Sequence, residues 1–281
     1  VKELAGRTAV VTGGASGIGR AMARRFAGAG MNVVVADVDI AQLDDVEAEL
    51  RGLRGEVVGV RTDVAQEDDL FALAALAQRR FGPVHVLCNN AGIGGPYGLL
   101  SEVPRGDWER ILGVNLWGVI HGLRAFVPPM LAHGEEGHIV NTVSASGLKP
   151  GPFVAPYAAT KHALFGLTVA LYHEMAIEGG RIGVTALCPG PVDTNAWKSI
   201  YDVSPNGSDG GANVARALAA GISADAVAEL VEAAIRTRQL YVFTHEDWLD
   251  QVFGEHVTTI LDQRNPAPLL SYGAGHTVSP A

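Results

Sequence analysis

Thr12-Gly13-Gly14-Ala15-Ser16-Gly17-Ile18-Gly19 is the stretch whose reading sets the fold. It follows a β-branched run at 8–11 and leads into a helical segment at about 19–29 that carries Met22 and Phe26. Glycines at 13, 17 and 19 let the backbone turn sharply and approach a pyrophosphate closely. The helix that begins there adds N–H groups with no partner inside the helix and a favourable dipole. The spacing is not a strict G-x-G-x-x-G, so the weight rests on position: the turn joins the first strand to the first helix.

Outward from this turn, two patterns alternate. Short apolar runs at 8–11, 33–36, 57–60, 84–88, 139–143 and 182–187 are separated by segments of helical spacing at about 19–29, 41–51, 66–81, 107–131 and 157–178. The runs are continuously apolar, as in a parallel sheet covered on both faces by helices. The expectation is an α/β fold, a doubly wound and mostly parallel sheet of the Rossmann kind, in a single domain spanning 1–281. The rhythm breaks at about 193–221. Within that break, 202–213 is rich in Gly, Asn, Ser and Asp and reads as a mobile loop. A helix at about 223–238 with Ser223 as N-cap, a strand at 240–244 and a helix at 248–261 follow. The tail from about 265 to 281 reads as irregular.

Composition narrows the class. Glycine is in excess, 35 of 281 residues, against an average near 7%, and no Gly-X-Y period accompanies it. Twenty-one basic against thirty acidic residues give a net charge of −9, the wrong sign for a phosphate-backbone partner, so no nucleic acid is expected. The longest apolar candidate for a membrane span, 111–132, is broken by Asn115, His121, Arg124, Pro128 and Pro129, so no membrane partner is expected either. The first strand-like run starts within a few residues of the N-terminus, which argues against a signal peptide. Cys88 and Cys188 each sit in an apolar run and read as small buried residues rather than a disulfide framework. Together these imply a cytoplasmic chain with a small-molecule substrate.

Asp37 closes the second apolar run, eighteen residues after Gly19. A carboxylate there suits both hydroxyls of an adenosine ribose. A 2′-phosphate would meet it as a like charge, at a cost of about 4 kcal/mol for ~4 Å separation and an effective dielectric near 20. No Lys or Arg occurs from 33 to 50, so NAD is expected over NADP; Arg20 is the one nearby cation that would soften this. Asp39, Asp44 and Asp45 share the segment, and the alternative for Asp37 is a solvated acid.

Tyr157 and Lys161 lie four apart in a helical segment, so their side chains share a face. Free tyrosine, with a pKa near 10, is a poor base at neutral pH. A neighbouring ammonium stabilises the phenolate, making Tyr157 a general acid/base for an alcohol–ketone interconversion. Taken alone, Y-x-x-x-K is common by chance and more often a surface pair.

These residues resemble those of the short-chain dehydrogenases/reductases, in their single-domain branch of about 250 residues, from about Gly6 to Thr194. The glycine turn is similar to that family's T-G-x(3)-G-x-G, Asn89-Asn90-Ala91-Gly92 to its N-N-A-G, and Pro189-Gly190 to its nicotinamide-side P-G turn. Tyr157 and Lys161 match its Y-x-x-x-K, with Ser144 thirteen residues before the tyrosine and Asn115 as its helix asparagine. The resemblance implies that Ser144 hydrogen-bonds the substrate oxygen, Tyr157 moves the proton, Lys161 holds the ribose, and Asn115 anchors a water reaching Lys161. It implies a cofactor set of Gly13, Ser16, Gly17, Ile18, Gly19, Asp37, Asp63, Val64, Asn90, Tyr157, Lys161, Pro189, Gly190, Val192 and Thr194. It also implies that the segment 193–221 covers the substrate, and that the protein pairs into a homodimer or homotetramer.

Competing readings stay open for single positions. Ser146 is a second hydroxyl in the Ser144 loop, Asn115 suits a buried satisfied amide, and Asp63 a turn or N-cap. His162 and His173 read as packing or surface residues, and no His spacing suggests a metal. Ser146, Trp197 and Tyr201 are the expected substrate contacts, with Tyr97, Leu148, Phe153 and Ile200 completing an apolar pocket. Trp117, Leu116, Phe165 and Leu171 are expected to offer apolar surface for subunit pairing. The stretch 240–248 departs from the family's aspartate and two glycines. The activity expected is hydride transfer between NAD and a hydrophobic or aromatic secondary alcohol or ketone. The alternatives are an epimerase or dehydratase on the same scaffold, or a non-catalytic dinucleotide-binding redox sensor.

Overall fold

The computed structural model describes residues 1–203, 210–245 and 253–266. Its elements in chain order begin with β1 (Thr8–Thr12), α1 (Gly17–Gly28), β2 (Asn32–Asp37), α2 (Ile40–Leu50), β3 (Val57–Arg61), α3 (Glu67–Phe81), β4 (Val84–Asn89) and β5 (Gly95–Tyr97). Next come α4 (Arg105–Leu112), α5 (Gly118–His133), β6 (Gly137–Thr142), α6 (Ala155–Ile177), β7 (Ile182–Cys188), β8 (Val192–Asp193) and β9 (Ile200–Asp202). The series ends with α7 (Gly210–Ala219), β10 (Ile222–Ser223), α8 (Ala224–Thr237), β11 (Tyr241–Phe243) and α9 (Glu255–Leu261).

Seven strands form one sheet in the order β11-β7-β6-β4-β1-β2-β3, and every neighbouring pair in it is parallel. The apolar runs of the sequence are resolved into two faces by the pleat. Val11, Val33 and Val35 pack on Met22 and Phe26 of α1, Val46 of α2 and Val231 of α8. Val10, Val34 and Ile139 pack the other way, on Leu70 of α3, Phe126 of α5 and Leu171 of α6. This is the doubly wound single domain expected. The chain leaves β1 toward β2 and β3, then returns to β4 on the other side of β1. The strand order therefore switches at the carboxyl ends of β1 and β4, where such sheets place their ligands.

Several expectations change. The helix expected at 107–131 is interrupted: a π turn at Gly113–Trp117 separates α4 from α5. The stretch 105–133 is long and apolar enough to cross a membrane by length and composition, but here it is a core element. Ile111, Asn115, Val119, Phe126 and Met130 are all buried. The loop expected at 202–213 is partly wrong, because Asp202 ends β9 and Gly210–Asn213 open α7; residues 204–209 lie outside the described residues. The sequence held a signal for this helix, since Val214, Ala217 and Leu218 repeat at helical spacing and line the cleft described below. Of the expected helix at 248–261, residues 248–252 lie outside the described residues, and α9 covers its end. The expected tail lies outside beyond 266.

The expected pairing surface also changes. Leu171 is in the core, Leu116 is half-buried, and Phe165 is half-buried and stacked on Tyr241. Only Trp117 of the four is exposed, at 52%. Both cysteines are buried and unbridged.

Candidate active site

The carboxyl ends of β1, β2, β3, β4, β6 and β7 open onto one cleft of about 920 Å³, a size that suits an extended ligand. At its centre, Gly13 and Gly17 have φ of +60° and +50°, which disfavours a side chain. A Cβ on Gly13 would come within 2.7 Å of the Ala91 backbone, and one on Gly17 within 3.1 Å of Thr194. These glycines leave a cradle of backbone at the N-terminus of α1, where N–H groups meet an anion. Gly19 is different. It does not line the cleft; a Cβ there would lie 2.1 Å from the Gly13 carbonyl oxygen, so its role is to let α1 close onto the turn. Ser16 and Ile18 line the cleft between them.

Thr12 fixes this turn to its neighbour, a role the sequence reading missed. Its Oγ1 accepts from the Asn90 and Ala91 N–H groups at 3.0 and 3.1 Å. Asn90 answers by donating from Nδ2 to the Thr12 and Gly13 carbonyls, while its Oδ1 accepts from Thr142. Its amide thus ties β1, β4 and β6 together at the cleft floor.

Asp37 stands at the end of β2 and lines the cleft. Its Oδ2 accepts from the Ala15 N–H at 3.1 Å and its Oδ1 from Val38 N–H at 2.8 Å. Arg20 turns away from it to pair with Glu49, its Nε donating to Oε2 at 2.6 Å. At the end of β3, Asp63 accepts from the Ala65 N–H in a local turn, and with Val64 it lines the same end of the cleft.

At the other end, α6 presents Tyr157 and Lys161 from its first turns. The Lys161 Nζ lies 5.6 Å from the centre of the Tyr157 ring and donates to the Thr142 carbonyl at 2.8 Å. Only 4% exposed, the ammonium has lost most of its water, and burial lowers its pKa to about 8. Ser144 follows β6; its Oγ accepts from the Ser146 N–H at 3.1 Å. Tyr157, Lys161, Ser144 and Ser146 all line the cleft. Cys188 is buried beside them, its thiol pushed up to about 12 by burial.

The π turn explains Asn115. Inserting one residue into the helix rotates this side chain inward, fully buried, against the strand end that follows β4. Its Oδ1 accepts from Ile93 N–H at 2.8 Å and its Nδ2 donates to Ile93 O at 2.9 Å. The amide thus acts as a two-bond clamp on a residue that itself lines the cleft. The amide is buried and hydrogen-bonded, as in the alternative kept open above, and its Oδ1 and the Lys161 Nζ flank Gly92, where a Cβ would lie 3.4 and 3.6 Å from them.

Pro189 and Gly190 line the cleft where the chain leaves β7. The Pro189 carbonyl accepts from the Ala145 N–H at 2.9 Å, and the Gly190 N–H donates to Thr244 Oγ1 at 2.9 Å. The divergent stretch at 240–245 therefore buttresses this turn. Val192 and Thr194 line the cleft after it.

The expected substrate contacts are partly corrected. Ser146 faces the cleft, but Tyr201 does not line it: its hydroxyl donates to Asp107 and accepts from Arg110 Nη2 at 2.9 Å, clasping β9 to α4. The side chain of Trp197 lies outside the described residues. Tyr97 and Phe153 pack on each other and on Val154, and Leu148 packs beneath α6. None of these three lines the cleft; Ile200 does. The walls that reading missed are Ile93, Pro96, Val154, Val214 and Leu218. Among the described residues, no group of three or more His, Cys, Asp or Glu is placed to hold a metal.

Comparison with known proteins follows the same outline. A family profile described as short chain dehydrogenase matches residues 7–204. The 1-deoxy-11-beta-hydroxypentalenate dehydrogenase of Streptomyces exfoliatus is 39% identical over 86% of this chain and 84% of its own length. The 3beta-hydroxysteroid dehydrogenase 2 of Eggerthella lenta is 37% identical over 73% of this chain and 78% of its own. A crystal structure of a short chain dehydrogenase/reductase from Burkholderia phymatum in complex with NAD is 40% identical. It covers 97% of this chain and 100% of its own, with a TM-score of 0.91.

Proposed function

The chain belongs to the short-chain dehydrogenase/reductase family and is an oxidoreductase of hydroxyl and keto groups; from that premise we propose that it uses NAD and acts on a bulky, largely apolar secondary alcohol or its ketone. The observation that carries the reading is one cleft lined at one end by Asp37 and at the other by Ser144, Tyr157 and Lys161. The backbone cradle at Gly13 and Gly17 fits a pyrophosphate, and Asp37 fits the ribose hydroxyls of NAD. Among the described residues, Arg20 is engaged by Glu49, and Arg61, which is beside Asp37 in the β2–β3 register, lies 3.6 Å from Asp69, so the cations near Asp37 each face a carboxylate of their own. The solved relative from Burkholderia phymatum binds NAD, which supports the same preference.

A bound nicotinamide dinucleotide supplies hydride transfer; the protein supplies position and proton movement. Ser144 Oγ accepts from Ser146, which leaves its O–H to donate to the substrate oxygen. Tyr157 moves the proton at that same oxygen, and the buried Lys161 ammonium steadies the phenolate left behind. Lys161 spends one N–H on Thr142 and keeps two for the ribose and the tyrosine. Apolar walls from Ile93, Val154, Ile200 and Leu218 suit an alicyclic or aromatic body, in line with relatives named for a hydroxypentalenate and a hydroxysteroid.

Turnover of a panel of alicyclic, aryl and steroidal secondary alcohols, followed by absorbance of reduced cofactor, tests this. Tyr157→Phe should abolish turnover and leave cofactor binding largely intact; undiminished activity in that variant sinks the mechanism. We further propose a cytoplasmic enzyme that forms a homodimer or homotetramer, with exposed Trp117 in the interface. Light scattering of the purified protein reads the assembly directly.

A further inference from the structure

Lys149 and Lys198 line the substrate end of the cleft, and neither is ion-paired among the described residues. Surface arginines such as Arg20, Arg25 and Arg80 are each held by a glutamate, whereas no carboxylate among the described residues lines this end of the cleft. Among the described residues the cleft-lining carboxylates are Asp37, which ends β2, and Asp63, which follows β3. Lys149 follows β6, three strand spacings from β2, or about 14 Å. It is therefore placed to reach neither those carboxylates nor a phosphate on the adenosine ribose.

Lys149 is also the better built of the two lysines. It is half-buried and closes the turn that begins at Ser144, its backbone N–H donating to the Ala145 carbonyl at 3.1 Å. Pro150 follows it, and Val154 stands beyond on the same wall. Lys198 sits exposed in the turn Asn195–Ser199. An ammonium set at the edge of an apolar wall is costly to leave without a counter-charge, and a carboxylate supplies both charge and acceptors.

We propose that the substrate is an alcohol or ketone with an apolar body and one carboxylate, and that Lys149 selects that carboxylate. The proposal rests on the alcohol–ketone reading above. In the cleft, Ser144 and Tyr157 hold the reacting oxygen while Lys149, a few residues further along the same loop, fixes the far end of the molecule. The carboxylate thereby sets which end of the body faces the hydride.

The test uses two matched pairs: a keto-steroid carboxylate and its carboxamide, and a keto-decalin carboxylate and its carboxamide. Each is titrated into the enzyme holding NADH, with binding read from the cofactor's fluorescence and turnover from its absorbance. The carboxylate of at least one pair should bind about tenfold tighter than its amide. Lys149→Met should bring that ratio to within about twofold, and Lys149→Arg should restore it. Circular dichroism and NADH titration confirm that each variant is folded. Equal binding within both pairs, no binding by any probe, or a ratio that survives Lys149→Met overturns the proposal. Loss of the ratio only in Lys198→Met also overturns the assignment to Lys149. Preferential carboxylate binding with no NADH oxidation by any ketone would instead sink the oxidoreductase reading of these substrates and leave the anion site standing.

Discussion

Lys161 shows at one residue how the site works against the fold. Its pKa falls from an ordinary 10.5 to about 8 because burial strips water from the ammonium. A folded-state pKa below the unfolded one means that the charged lysine destabilises the native state fully below pH 8. The penalty is relieved as pH rises from about 8 to 10.5. Lys161→Met should therefore be more stable than the wild type at pH 7, by at most about 3 kcal/mol, less what is lost with the Thr142 hydrogen bond. Urea unfolding at pH 7 and pH 9.5 should show that gap narrowing, while the variant is inactive at both. A gap that widens with pH contradicts this account. Asp37 carries the second residue-scale expectation: kcat/KM with NAD should exceed that with NADP by about tenfold or more, and Asp37→Ser should shrink the ratio. Positions like these are legible in a sequence because each meets a fixed chemical demand at fixed spacing. Lys149 was not legible. Nothing about a lysine in a Gly-Leu-Lys-Pro loop says which way it points until the neighbouring strand ends are assembled.

Among the elements, the break between α4 and α5 matters most. Asn115 makes both backbone bonds of Ile93, standing in for a neighbouring strand. Asn115→Leu keeps the volume and orphans the part-buried N–H and C=O of Ile93, at a cost toward the low end of about 1–3 kcal/mol each. The variant should lose at least about 2 kcal/mol in urea unfolding and lose activity too, because Ile93 lines the cleft. Unchanged stability would show that the clamp is idle. The sequence hid this break because a one-residue insertion leaves apolar residues on either side of it, and the periodicity reads as one helix. It hid the β5–β9 pairing for another reason. Strands of three residues, about a hundred positions apart, have no period to detect, so Tyr201 looked like a pocket aromatic when it is a clasp. By contrast, the continuous valine runs of β1 and β2 announced a sheet covered on both faces, and so it is built.

For the molecule as a whole, acid stability should rest on His138. Thr185 Oγ1 donates to the Gln239 carbonyl at 2.6 Å, so it accepts from His138 Nε2 at 2.7 Å, and the buried Nδ1 has no partner. Burial holds the ring neutral, with its pKa lowered to about 3. The unfolded chain then binds more protons between pH 6.5 and 3, so stability falls as pH drops through that window. From pH 6.5 to 4.5 this one group costs about 2.3 kcal/mol. His138→Gln keeps a donor for Thr185 and should flatten that acid limb in unfolding curves recorded across the window; an unchanged slope would assign acid sensitivity elsewhere. The division of labour along the chain has a larger consequence. The cofactor end of the cleft is carried by the ends of the parallel sheet, whereas much of its opposite wall comes from β9 and α7, a short run of chain laid outside that sheet and held by the Tyr201 clasp. Evolution can rewrite that run without disturbing the redox machinery, so a lineage of such proteins can inherit one chemistry and diverge in diet.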